Sequence, residues 1–364
     1  MRTALASGHL LRAVASGYHG PPELTVARAF TEWTFDPWMA ALVVILAAGY
    51  LAGARRVRHW PVARPIWFCG LGLGFLVIAT MSWVGVYQPV LFYARAVQTV
   101  LLVLVVPLFL ALGRPVTLAT AVFPRIGARL EAVIRSRPAR ILTFPAITAL
   151  ALVGVPFVMY FTSWYTAVFH STPVRVLTYL VLMALGYVFF WTLMRVDPVP
   201  KEYPYGVSMW ITSAEVIGDA FFGIAVIAYQ GLIGAAYYHA LARPWGPSLA
   251  TDQVIGGGVL WILGDLVGLP FLAAQLIHMM REDESDAARI DAELDAQQAR
   301  LDAAGQAAAP RAPDLPSDPG EPATSAEPVN LDDPASPEET QESQKSQLWW
   351  EADPRFTSRF KPTS

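Results

Sequence analysis

Seven stretches of this chain are apolar over the length needed to cross a bilayer, and they limit its fold more than any motif does. A hydrocarbon core takes roughly 20 residues of helix. Inside it every backbone amide must be bonded within the structure, so only helices or closed barrels span it. The runs at 36–54, 65–83, 89–113, 140–162, 172–194, 208–230 and 254–280 predict an all-α, polytopic membrane bundle of about seven transmembrane helices. A composition 54% hydrophobic and 15% charged excludes a soluble globule or a disordered chain as the main body.

The arginines between these runs predict how the bundle sits. Arg55, Arg56, Arg58 and Arg64 follow the first run, and Arg114, Arg125, Arg129, Arg135, Arg137 and Arg140 follow the third; the second and fourth connections carry none. Basic connections stay on the cytoplasmic side. The N-terminus is therefore expected outside and the C-terminus inside, in a multi-pass protein of the bacterial plasma membrane. Residues 1–35 form an extracytoplasmic segment without the compact pattern of a cleaved signal peptide. A lone cysteine, Cys69, excludes an intrachain disulfide framework.

Beyond the seven-helix domain at 36–280 the chain changes character. Residues 281 to 364 carry a net charge of −11, against +8 for the rest. A charged cytoplasmic helix is expected at 281–303, with Ile290, Leu294 and Leu301 at helical spacing. An acidic linker rich in Pro, Ser and Ala follows at 304–345, a composition that cannot form a core. Aromatic and basic residues return at 346–364, where Trp349, Trp350, Arg355 and Phe356 are candidates for docking on a partner or on lipid.

Charged groups within the apolar runs are the candidates for a site. Arg95, Gln98 and Thr99 share one helical face, as do Arg175 and Tyr179. Glu215 and Asp219 lie one turn apart, and Asp265 sits in the last run. Charge at such depth requires a partner, water or a function. The expectation is that Arg95 and Arg175 face Asp219, helped by Glu215. Pro107, Pro145, Pro156 and Pro270 are expected to kink their helices, and Gly256-Gly257-Gly258 to permit close helix contact. No Ser/His/Asp constellation, metal set or nucleic-acid surface is apparent, so no catalytic residue, metal ligand or nucleic-acid partner is assigned and no enzyme is expected.

Several segments, in order, resemble the cytochrome c oxidase assembly factor family known as CtaG in its actinobacterial form. They are Phe35-Asp36-Pro37-Trp38, Ala79 to Tyr87, Leu112 to Thr117, Phe190-Trp191 with Asp197-Pro198-Val199-Pro200, and Asp252-Gln253 through Gly256, Trp261, Gly264 and Asp265. The resemblance implies a non-enzymatic role in assembling a respiratory oxidase, with oxidase subunits or other assembly factors as partners. It also implies copper, because the family's helices typically carry two His-x-x-x-His pairs and a further His. Those positions fall here on Arg95 and Thr99, on Arg175 and Tyr179, and on Asp219. Guanidinium and phenol do not ordinarily replace copper-binding imidazole, which points to a charge-paired core with no cofactor. Alternatives are intramembrane ion or proton transport through the buried acids, or copper handling by Met81, Met183, His170 or His239.

Overall fold

The computed structural model describes residues 17–308, apart from 126, 129–131, 133–135, 196 and 200–204. The candidates Trp349, Trp350, Arg355 and Phe356 lie outside the described residues, as do residues 1–16; of the linker expected at 304–345 only 304–308 are described, and they continue the last helix. Two compact units divide the chain, Met1–Ala296 and Gln297–Ser364. The first holds the bundle, and the described part of the second is helical.

A short helix α1 (Val26–Thr31) precedes α2 (Pro37–Arg56). Asp36 starts α2 by accepting the N–H groups of Trp38 and Met39 at 3.0 and 3.2 Å, and Pro37 occupies the first turn, where a missing N–H costs nothing. Next come α3 (Ala63–Tyr87) and α4 (Phe92–Leu112), then the short α5 (Pro115–Val122) and α6 (Arg137–Leu142). The remaining helices are α7 (Pro145–Phe161), α8 (Trp164–His170), α9 (Thr172–Met194), α10 (Tyr205–Ala228), α11 (Ala235–Leu241) and α12 (Leu249–Ala308).

Six of these, α2, α3, α4, α9, α10 and α12, are long and apolar enough to cross a membrane; α7 and α8, bent by 73° at their junction, make a seventh if taken as one span. The all-α polytopic bundle expected from hydropathy is what the chain forms. Within its apolar window α4 is 67% buried in the protein and α2 only 17%. The third span is thus the central one, and α2 presents most of its surface outward.

Irregularities in α3 and α4 position the interior. The α3 ladder stops at Met81, and Ser82, with ψ of −167°, restarts it by accepting the Val84 N–H at 3.3 Å. Within α4 the turn widens to π geometry over Leu101–Val105, ahead of Pro107, whose ring would otherwise press on the Val103 carbonyl. That carbonyl packs on Gly186 of α9, where a Cβ would overlap it. Pro145 does not kink a helix as expected: it opens α7 after a break at Thr143 and Phe144, so the fourth span begins later than residue 140. The glycine run makes the close contacts expected of it, Gly256 against the Phe92 ring and Gly257 against Gly223 and Ile227 of α10.

Candidate functional site

The break at Ser82 leaves backbone carbonyls of α3 without their usual donors, and α4 supplies one from the side. Gln98 Nε2 donates to the Ala79 carbonyl at 2.8 Å. The Gln98 carbonyl oxygen, held in place by that bond, accepts from Arg95 Nη1 at 2.7 Å and from the Tyr179 hydroxyl at 3.2 Å. One amide therefore ties α3, α4 and α9 together. Arg95 is fully buried; its Nη2 reaches the Met159 sulfur at 3.7 Å, and its guanidinium carbon stands 5.9 Å from the ring centres of Phe169 and Tyr179.

Hydroxyls extend this centre towards α8 and α11. Thr99 Oγ1 donates to the Arg95 carbonyl at 2.9 Å and lies 3.0 Å from the Tyr160 hydroxyl, and the hydroxyls of Tyr165 and Tyr238 are 2.8 Å apart. Burial raises the pKa of Tyr238, which lies outside the spans. The rings of Phe92, Tyr160 and Tyr165 close the cluster, with centroids 5.0 to 5.6 Å apart. Of the residues singled out in the sequence, Arg95, Gln98, Thr99 and Tyr179 are thus brought together.

Arg175 and the acids go elsewhere, which corrects the expected arginine-to-Asp219 pairing. Arg175 Nη2 lies 3.3 Å from Asp36 Oδ2, so it binds the residue that starts α2. Arg95 forms no ion pair with any described carboxylate. Glu215 and Asp219 of α10 instead turn towards the glycine face of α12. An Asp219 carboxylate oxygen lies 2.7 Å from where a Cβ on Gly264 would stand, and Glu215 Oε2 lies 3.7 Å from that of Gly268. Asp265 brings a third carboxyl group, one oxygen of which is buried without a hydrogen bond. Side-chain direction about a helix axis, which spacing along one sequence does not reveal across helices, separates the two groups.

Three aspartates within the quoted segments do work that the sequence reading missed. Asp36 starts its own helix. Asp252 accepts the N–H groups of Phe92 and Tyr93 at 3.1 and 3.0 Å, closing the N-terminus of α4 from 160 residues away, and pairs with buried Arg243 at 3.2 Å. Asp197 does the same for α5 through Val116 N–H at 3.2 Å, Thr117 N–H at 2.9 Å and the Thr117 hydroxyl. Gln253 accepts from Ile233 N–H at 2.8 Å and donates to the carbonyls of Val226 and Gly231. Their place in the segments that resemble the family was the available signal.

The residues present do not fit copper. At the positions where imidazoles would be needed stand a guanidinium bonded to an amide, a threonine, an arginine paired with Asp36, a tyrosine bonded to Gln98, and an aspartate facing Gly264. The Met159 sulfur, a soft donor, accepts from Arg95. Among the described residues no group of three or more His, Cys, Asp or Glu is arranged to hold a metal ion.

Fold and site define a helical membrane bundle organised around a buried arginine and amide. The chain belongs to the cytochrome c oxidase caa3 assembly factor family, whose model matches residues 48–282, from the last turns of α2 through the apolar part of α12. It is similar to an uncharacterised protein of Mycobacterium bovis, at 32% identity over 292 residues, which cover 77% of this chain and 44% of that protein. An uncharacterised protein of Mycobacterium leprae is 30% identical over the same length and shares. The chain spans less than half the length of these curated relatives. No solved structure matches it.

Proposed function

We propose that this protein is a membrane scaffold in the assembly of a cytochrome c oxidase and acts without a histidine copper site of its own. The family match over residues 48–282 carries the first half of that reading. The bridge from Arg95 and Tyr179 through Gln98 to Ala79 carries the second, because hydrogen bonds there do the joining of helices that a metal would do. Oxidase subunits are its partners, met through helix faces in the bacterial plasma membrane. The arginine-rich ends face the cytoplasm, as does the acidic tail, whose closing aromatic segment recruits a partner. Full-length tagged protein purified in mild detergent is expected to bring oxidase subunits with it and to contain copper far below one ion per chain. Stoichiometric copper, or the absence of oxidase subunits, would overturn the corresponding half.

A second reading, proton movement, is favoured by one observation, the cluster of Glu215, Asp219 and Asp265 with a buried and unbonded Asp265 oxygen. Proton flux into proteoliposomes that is lost in Asp219→Asn supports it; no flux from the unaltered protein dismisses it.

A further inference from the structure

A cavity of about 730 Å³ lies at the end of the bundle where α4 and α9 finish. Small-molecule sites span about 300 to 1,000 Å³, so it has the size of a binding site rather than a packing defect. Phe75, Phe109, Leu193, Leu266 and Phe271, drawn from α3, α4, α9 and α12, make its walls apolar. Along α12 the lining runs from Leu266 to His278, about 18 Å at 1.5 Å per residue. Three groups with basic character, Arg114, Arg195 and His278, also line it.

The two arginines have an unusual backbone. Arg114 has φ of 52° and Arg195 φ of 50°, the left-handed region in which a residue with a side chain is disfavoured. Each lies immediately beyond its helix or one residue further, where glycine would adopt the same turn without a Cβ penalty. Arginine at both places, on the lining of one cavity, indicates that the side chains are wanted there. Asp197, two residues after Arg195, does not neutralise Arg114, because its carboxylate is already bonded to Val116 and Thr117 at the start of α5. The Arg114 guanidinium has no hydrogen bond or ion pair among the described residues.

We propose that this cavity binds one anionic phospholipid, its acyl chain lying along α12 between α4 and α9 and its phosphate held by Arg114 with Arg195. An elongated apolar cleft with cations gathered in its lining matches an amphiphile with a long chain and a negative head. A free phosphate would leave the apolar walls unfilled, and a zwitterionic lipid would gain less from the arginines. This site is separate from the Arg95 core and does not depend on the assembly reading.

The test is the melting temperature of the full-length protein in neutral detergent, with phosphatidylglycerol, with phosphatidylcholine of the same chains, or with inorganic phosphate. Phosphatidylglycerol is expected to raise it by about 4 °C, the other two by much less. Arg114→Gly suits the left-handed turn and removes the charge, and Ala274→Trp fills the cleft while keeping the charges. Each is expected to lose at least half of the response. Equal shifts from phosphatidylcholine, a full shift from phosphate alone, no shift at all, or undiminished responses in both variants would overturn the proposal.

Discussion

Arg95 is a fully buried guanidinium with no carboxylate partner among the described residues, bonded to a neutral amide and a sulfur while its Nε stays unbonded. Burying a charge is costly, and here no ion pair offsets the desolvation, so an apolar side chain of similar length is expected to be tolerated. Arg95→Met should leave thermal stability unchanged or raise it by about 1 to 4 kcal/mol. Gln98→Leu should do the opposite, since it strands Arg95, the Tyr179 hydroxyl and the Ala79 carbonyl together; a loss of about 3 kcal/mol is expected in unfolding measurements. If both variants weaken the protein equally, the amide is not the tie. A second test at this scale uses Tyr18, whose hydroxyl donates to the Pro21 carbonyl and is pushed up to about 12 by burial, against the opposing charge of Arg243. A pKa raised in the folded state stabilises fully below the unfolded value of about 10 and ceases to do so as pH climbs through the folded one. Melting temperature should therefore fall between pH 10 and 12 by an amount that Tyr18→Phe reduces.

Among elements, helix ends are held by side chains distant in sequence. Asp252 both closes α4 and pairs with Arg243, so Asp252→Ala leaves two amides and a buried cation unsatisfied and is expected to cost about 3 to 5 kcal/mol. Asp252→Asn keeps an acceptor for the amides and should lose clearly less, read as the fraction of folded protein surviving a heat step in detergent. The α10 and α12 helices meet at Gly223 and Gly257, where a Cβ on Gly257 would lie 2.8 Å from the Gly223 carbonyl oxygen. Gly257→Leu is expected to cost about 1 to 3 kcal/mol or more by forcing the helices apart. The spans themselves were legible in hydropathy, and the proximity of Arg95, Gln98 and Thr99 in their three- and four-residue spacing. The pairing of Arg175 with Asp36 was not, because it joins the first turn of α9 to the residue before α2 across 139 residues of sequence, and nothing local marks it. Asp197 and Asp252 were visible as parts of segments that resemble the family, yet the amides they bind lie 80 and 160 residues away and nothing local marks them.

At the scale of the bundle, a central α4, glycine-mediated contacts and remote caps hold together helices whose polar centre is bonded among their own residues. The charge asymmetry between ends predicts its orientation: alkaline phosphatase fused after His170 should be active, and fused after Arg125 inactive. The central claim, a scaffold that does not supply copper, is tested most directly by the haem absorption of the oxidase in membranes from cells lacking this protein, grown with and without added copper. The expected result is a marked loss of the oxidase signal that the gene restores and copper does not. An unchanged signal would remove the assembly role, and full rescue by copper alone would make the protein a copper supplier instead.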